Sequence, residues 1–204
     1  MTTTQSSFAL AAGDYLQRLQ SCFSANVLAG VETLAQELRL AWIEGRQVYI
    51  CGNGGSAANA MHMANDFHYG TGACGPGPLL PGLRVDALPS NAGVITCLAN
   101  DTDYANIYAH QLQVKGRPGD LLIVLSGSGN SANVVHALET ATAMKIRSFA
   151  ILAFSGGRCL ELAEVPIHFR INDMQIAEDT QLVVGHLCMQ WLNRNKPTEI
   201  RPLT

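Results

Sequence analysis

The 204-residue sequence predicts a single α/β domain, a five-stranded parallel sheet with helices on both faces and further helices ahead of it. Three observations predict this fold. From residue 48 onward, short apolar runs alternate with stretches of helical spacing. Two of those runs, 48–51 and 120–125, lead into glycine- and serine-rich loops that open helices, which is the strand–loop–helix order of a parallel sheet. Finally, 48% of the residues are apolar and 14% charged, a balance that suits one compact core at this length.

The elements follow in order. Leu16, Leu19 and Phe23, then Val31, Leu34, Leu38 and Trp42, recur at helical spacing, and Gly45 is placed to stop the second helix. These two helices, within residues 1–45, are expected to serve oligomer contacts. A strand over 48–51, the loop Gly52-Asn53-Gly54-Gly55-Ser56 and a helix over 57–67 come next. Residues 70–82 are rich in glycine and proline and predict a surface loop, followed by a strand over 83–88 and helical segments over 91–98 and 104–114. The unit then repeats, with a strand over 120–125, the loop Ser126-Gly127-Ser128-Gly129-Asn130-Ser131 and a helix over 132–144. Strands over 148–154 and 165–171, a short helix after Gly157 and a closing helix over 176–192 complete the domain. The tail 195–204, with two prolines, reads as a loose end or a subunit contact.

Composition excludes several classes of function. A formal charge of −3 offers no broad positive field for nucleic acid. No run of eighteen apolar residues and no basic start followed by an apolar stretch is present, so a cytoplasmic protein without a membrane span is expected. The six cysteines lie far apart without a CxxC pair, which predicts reduced thiols and argues against a zinc finger.

The two loops predict oxyanion binding. Glycines let backbone N–H groups approach a ligand, and each following helix turns its positive end to the same point. Ser126, Ser128 and Ser131 add hydroxyl donors, so a phosphate can be held by neutral groups alone. Gly52-x-Gly54-x-x-Ala57 also satisfies a dinucleotide fingerprint. That fingerprint expects an acidic residue about twenty positions on, where this chain has its glycine–proline loop; Asp86 comes too late, and the serine loop has no role in such a scheme.

A second constellation is polar. His62 and Asp66 are four apart on one helix and share a face. Glu178 and His186 lie eight apart on the last helix, about 80° from each other around its axis. Two imidazoles and two carboxylates suit a divalent metal, whether zinc, manganese, iron or nickel. Asp179 rivals Glu178, because seven residues align it better with His186. His110, His136 and His168 have no comparable partners.

Gly52-Asn53-Gly54-Gly55-Ser56-Ala57 followed by Ala60-Met61-His62, then Asn100-Asp101, then Ser126-Gly127-Ser128-Gly129-Asn130-Ser131-Ala132-Asn133-Val134, resembles the phosphoheptose (sedoheptulose 7-phosphate) isomerases of the sugar isomerase, or SIS, domain class. The likeness covers nearly the whole chain. It implies a flavodoxin-like three-layer sandwich and a homotetramer with active sites completed between subunits. It also implies substrate contacts at Asn53, Gly54, Gly55, Ser56, Asn100, Asp101, Ser126, Gly127, Ser128, Ser131 and Glu178, and metal ligands at His62, Asp66, Glu178 and His186. The chain departs from the family pattern at four positions: Asp66 stands for its basic Glu, Glu178 for its Gln, Gly70 for an Arg and Gln175 for an acidic residue. The implied reaction moves a proton between adjacent carbons through an enediol. It requires a base, an acid and charge stabilisation, with Asp66 or Glu178 carrying the carbon proton and His186 the proton on oxygen. The alternative implied by other members of the class is a non-catalytic regulator or sugar-phosphate sensor that binds a protein such as the replication initiator.

Overall fold

The computed structural model describes residues 7–200. Five parallel strands form one sheet in the order β2-β1-β3-β4-β5: β1 (Gln47–Gly52), β2 (Arg84–Ala87), β3 (Leu121–Ser126), β4 (Arg147–Leu152) and β5 (Val165–His168). This is the doubly wound arrangement whose strand order reverses between β1 and β3, the place where such sheets leave a crevice beyond their carboxyl ends.

Strand side chains alternate between two cores. Val48, Ile50, Leu121, Ile123, Leu125, Phe149 and Ile151 face one layer. That layer comprises α2 (Ala25–Glu44), α3 (Gly55–Asn65) and α9 (Met174–Arg194). Tyr49, Cys51, Leu122, Val124, Ala150 and Leu152 face the other. It is built from α6 (Ala109–Lys115), α7 (Ala132–Met144) and α8 (Gly157–Leu162). Every residue of β3 is buried, as a central strand covered on both faces requires. Gly45 stops α2 in the left-handed conformation, with φ 67°, as its position in the sequence predicts.

Three segments differ from the sequence expectation. The helix expected over 57–67 starts two residues earlier and continues past Asn65 as a π-helical segment, Asp66–Gly70, leading into the single turn α4 (Thr71–Ala73). The helix expected over 104–114 is divided: Asp103 accepts from the Ala105 N–H at 2.7 Å and opens a 3₁₀ turn, Tyr104–Asn106, before α6 begins. The tail is tied down at its start. Lys196 donates to the carbonyls of Gly72 and Pro78, each at 3.0 Å, and Arg39 donates to that of Asn195 at 2.8 Å. Residues 201–204 of that tail lie outside the described residues.

Neither α1 (Phe8–Ser21) nor α5 (Ala92–Asp101) buries a residue in the single chain. The first is tied to the start of α9 by polar contacts. Tyr15 donates to Asp179 at 2.5 Å, and Arg18 to Asp173 at 2.6 Å.

Candidate active site

Because β1 and β3 are neighbours with Gly52 paired to Leu125, the loops that follow them emerge side by side. Asn53 and Asn133 join them through a reciprocal amide pair at 2.8 and 2.7 Å, and the Tyr104 hydroxyl donates to the Asn53 amide oxygen at 3.0 Å. The Asn53 side chain thus braces the two loops against each other. At Gly54, φ 56° with ψ −121° is a conformation that L-residues avoid, which explains the glycine there.

In the second loop the buried Ser126 hydroxyl accepts from the Gly129 N–H at 3.0 Å, and Ser128 accepts from Asn130 at 3.3 Å. Ser131 caps α7, yet its side chain makes no cap hydrogen bond. The Ser131 hydroxyl, the protons of the other two and the first N–H groups of α7 are the neutral donors that this loop carries. Asn100 and Asp101 end α5 on an exposed surface, and the Asn100 amide donates to Asp101 at 2.8 Å rather than to either loop. The Asp101 carboxyl is held below its usual range by that amide and by the Cys97 thiol.

Helices α3 and α9 lie side by side and run the same way. His62 Nε2 and His186 Nε2 approach to 3.0 Å, and Asp66 Oδ2 is 3.5 Å from each of them. The carboxylate is largely covered, while both imidazoles are half exposed. Ligand atoms around a tetrahedral zinc sit about 3.3 Å apart, given metal–ligand distances near 2.0–2.1 Å. The triangle has these dimensions, nitrogen and oxygen donors and an open side, so the residues fit such an ion. A hydrogen-bonded imidazole pair alone would not require a carboxylate equidistant from both rings. Asp66 opens the π-helical segment, a local irregularity of the kind that accompanies functional sites.

Glu178 does not join this cluster among the described residues. The sequence spacing sets its angle around the helix, but eight residues also separate it from His186 by about 12 Å along the axis. It stands level with the first turn of α3, where its carboxylate lies against Gly55 so closely that a methyl there would overlap it. Asp179, the rival, is engaged by Tyr15. His186 turns its Nε2 into the triangle.

Ser56 is 5% exposed, and its hydroxyl accepts from Gln181, so it faces the helix pair. Gln181 and Asn59 have no place in the sequence expectations. No local pattern marks them, since each is a lone polar residue at a core position whose partner lies on the other helix.

Residues 12–153 match the SIS domain family. The phosphoheptose isomerase of Rhodospirillum rubrum is 36% identical over 181 residues, 88% of this chain and 90% of that protein. That of Chlorobium phaeobacteroides is 33% identical over 181 residues, 88% of this chain and 79% of that protein. The solved structure of a phosphoheptose isomerase from Francisella tularensis superimposes with a TM-score of 0.83 at 20% identity, covering 91% of this chain and 96% of that one, and has the same fold. With a family match across most of the sheet and identities of 33% and 36% over 181 aligned residues, the chain belongs to the SIS domain family, among the phosphoheptose isomerases.

Proposed function

We propose that the chain is a phosphosugar isomerase that converts sedoheptulose 7-phosphate to D-glycero-D-manno-heptose 7-phosphate, the activity its relatives' name denotes. The observation that carries this is the Glu178 carboxylate against Gly55, where the first glycine loop opens α3, on the same helix that brings His186 to the His62–Asp66–His186 triangle. The two ends of the crevice differ in charge. Glu178 at the first turn of α3 repels a phosphate dianion, whereas no acidic side chain bonds to residues 126–131 among the described contacts. The phosphate is therefore assigned to Ser126, Ser128, Ser131 and the start of α7, and the reacting carbons to the α3 side.

Glu178 is the proposed base. It removes the proton from the carbon beside the carbonyl and returns it to the carbonyl carbon, while the hydroxyl proton of the first carbon passes to the former carbonyl oxygen; its distance from the triangle leaves it free to do so. Asp66, His62 and His186 would hold a divalent ion, zinc by donor set, and such an ion would supply polarisation of the carbonyl and stabilisation of enediolate charge. Asp66 is then a ligand rather than the base. Asn53, Gly54 and Gly55 shape the wall between the two ends.

A homotetramer with sites completed between subunits is part of the same proposal, supported by the unburied faces of α1 and α5. Cytoplasmic residence is proposed with it. No helix among the described residues is long and apolar enough to cross a membrane.

The test is turnover of sedoheptulose 7-phosphate by zinc-loaded protein and by Glu178→Gln. Loss of a general base lowers kcat about 10²- to 10⁴-fold, with KM nearly unchanged. Full turnover in the variant removes Glu178 from the role. A wild-type protein that binds the sugar phosphate without turning it over supports the regulator instead.

A further inference from the structure

The chemistry proposed above rests on side chains carried by two helices, so it depends on how those helices are aligned along their axes. Gly55 meets Glu178, Asn59 meets Gln181, Met63 meets Gly185, His62 meets His186 and Gly70 meets Met189. Apolar packing alone specifies such an alignment weakly, because ridges fit grooves again after a slip of one turn, about 5.4 Å. Such a slip would separate His62 from His186 and Glu178 from Gly55.

A buried polar chain spans the same interface. Gln181, 1% exposed, donates to the Ser56 hydroxyl at 3.0 Å. Asn59, 8% exposed, donates to the Gln181 amide oxygen and to the Glu178 backbone carbonyl, each at 3.0 Å. In any other alignment these amides are left buried without partners, at about 1–3 kcal/mol per group. The chain ties three things together: the first turn of α3, the backbone of the residue bearing the proposed base, and the helix that carries His186.

We propose that Asn59 and Gln181 are positioning residues: a polar lock that sets the register of α3 against α9, and with it the geometry of both the His62–Asp66–His186 triangle and the Glu178 carboxylate. Neither residue is placed to touch substrate, since both are buried within the helix pair. Small residues flank the lock and let the backbones approach. A methyl at Gly185 would meet Met63 Cγ at 2.8 Å, as one at Gly55 would meet Glu178.

The test uses the full chain and cobalt(II) as the metal probe, in wild type and in Gln181→Met, which keeps the side chain's length but has no donor. Cobalt affinity and the visible spectrum of the bound ion, kcat and KM for sedoheptulose 7-phosphate, and Tm are measured. Loss of the lock weakens cobalt binding and lowers kcat, each about 10- to 100-fold, the range for residues that orient metal ligands, with KM within about threefold and an altered spectrum. Asn59→Ala removes the other donor and gives the same result if Gln181→Met does not fold; the double variant loses less than the product of the two. A lower Tm with unchanged cobalt affinity, spectrum and kcat means that the pair only stabilises, and overturns the proposal. So does a wild-type protein with neither cobalt binding nor turnover. If the wild type binds cobalt but lacks turnover, the isomerase reading fails while the cobalt readouts still decide the lock.

Discussion

Gly55→Ala separates the position of one carboxylate from the stability of the fold. Gly55 is the first residue of α3, and the added methyl overlaps the Glu178 carboxylate. Two opposing effects act on stability. Alanine is favoured over glycine in a helix interior by about 1 kcal/mol, and overpacking costs about 1–3 kcal/mol. The neighbour is the free end of a flexible side chain, so the net cost is about 0–2 kcal/mol, or at most about 8 °C in Tm for a domain of this size. The displaced carboxylate moves by about 1 Å or more, and a misplacement of that size lowers a rate about 10²-fold. The expected signature is a kcat reduced about a hundredfold in a protein that remains folded, read by steady-state isomerase kinetics beside a thermal melt. Combining the change with Glu178→Ala provides the control, because the three atoms nearest the methyl all belong to that carboxylate and the overpacking it causes is removed with them. Wild-type kcat in Gly55→Ala would refute the argument that the carboxylate's place against α3 matters.

The two serines of the second loop are expected to behave differently. The Ser131 hydroxyl makes no cap bond, so Ser131→Ala leaves Tm within about 2 °C and raises KM about tenfold or more through loss of a charge-assisted phosphate contact. Ser126 accepts from the buried Gly129 N–H, so Ser126→Ala costs about 1–3 kcal/mol; equal melts for the two variants would contradict this assignment. Acid should loosen the tie between α1 and α9. The Arg18 guanidinium first, and then the Ile176 N–H, hold the Asp173 carboxyl below its usual range. The unfolded chain therefore binds this proton more readily, so the contribution is present above pH about 4 and is lost as the pH falls below it. Tm measured from pH 7 to 2.5 should fall less steeply in Asp173→Asn than in wild type at the acid end, and parallel curves would exclude the contribution.

Local signals specify most of the fold in the sequence itself. Strands β1 and β3 are legible because a strand buried on both faces reads as an unbroken apolar run, and Gly45 because only a residue tolerant of φ 67° ends α2 cheaply. The two loops are legible for the same reason, since glycine and serine at a helix start have a local purpose. His62 and Asp66 share a face through the helical period alone, and the triangle keeps them together. Local rules also err where a neighbour intervenes. Asp103 starts a 3₁₀ turn within a segment that reads as one helix, and α3 continues as a π-helical segment from Asp66.

What only the tertiary structure decided is the meeting of elements distant in sequence. Angular spacing places Glu178 and His186 toward one side of α9 but says nothing about which level of α3 each will face, and that level sends the Glu178 carboxylate to Gly55 and the His186 imidazole to the triangle. Asn59 and Gln181 are invisible for a related reason: a lone polar residue at a core position has no local partner to announce it, and its partner lies 122 residues away. Residue type and period determine which groups the chain carries and which face they take. Distances between groups on different helices are set by packing, which no local pattern encodes.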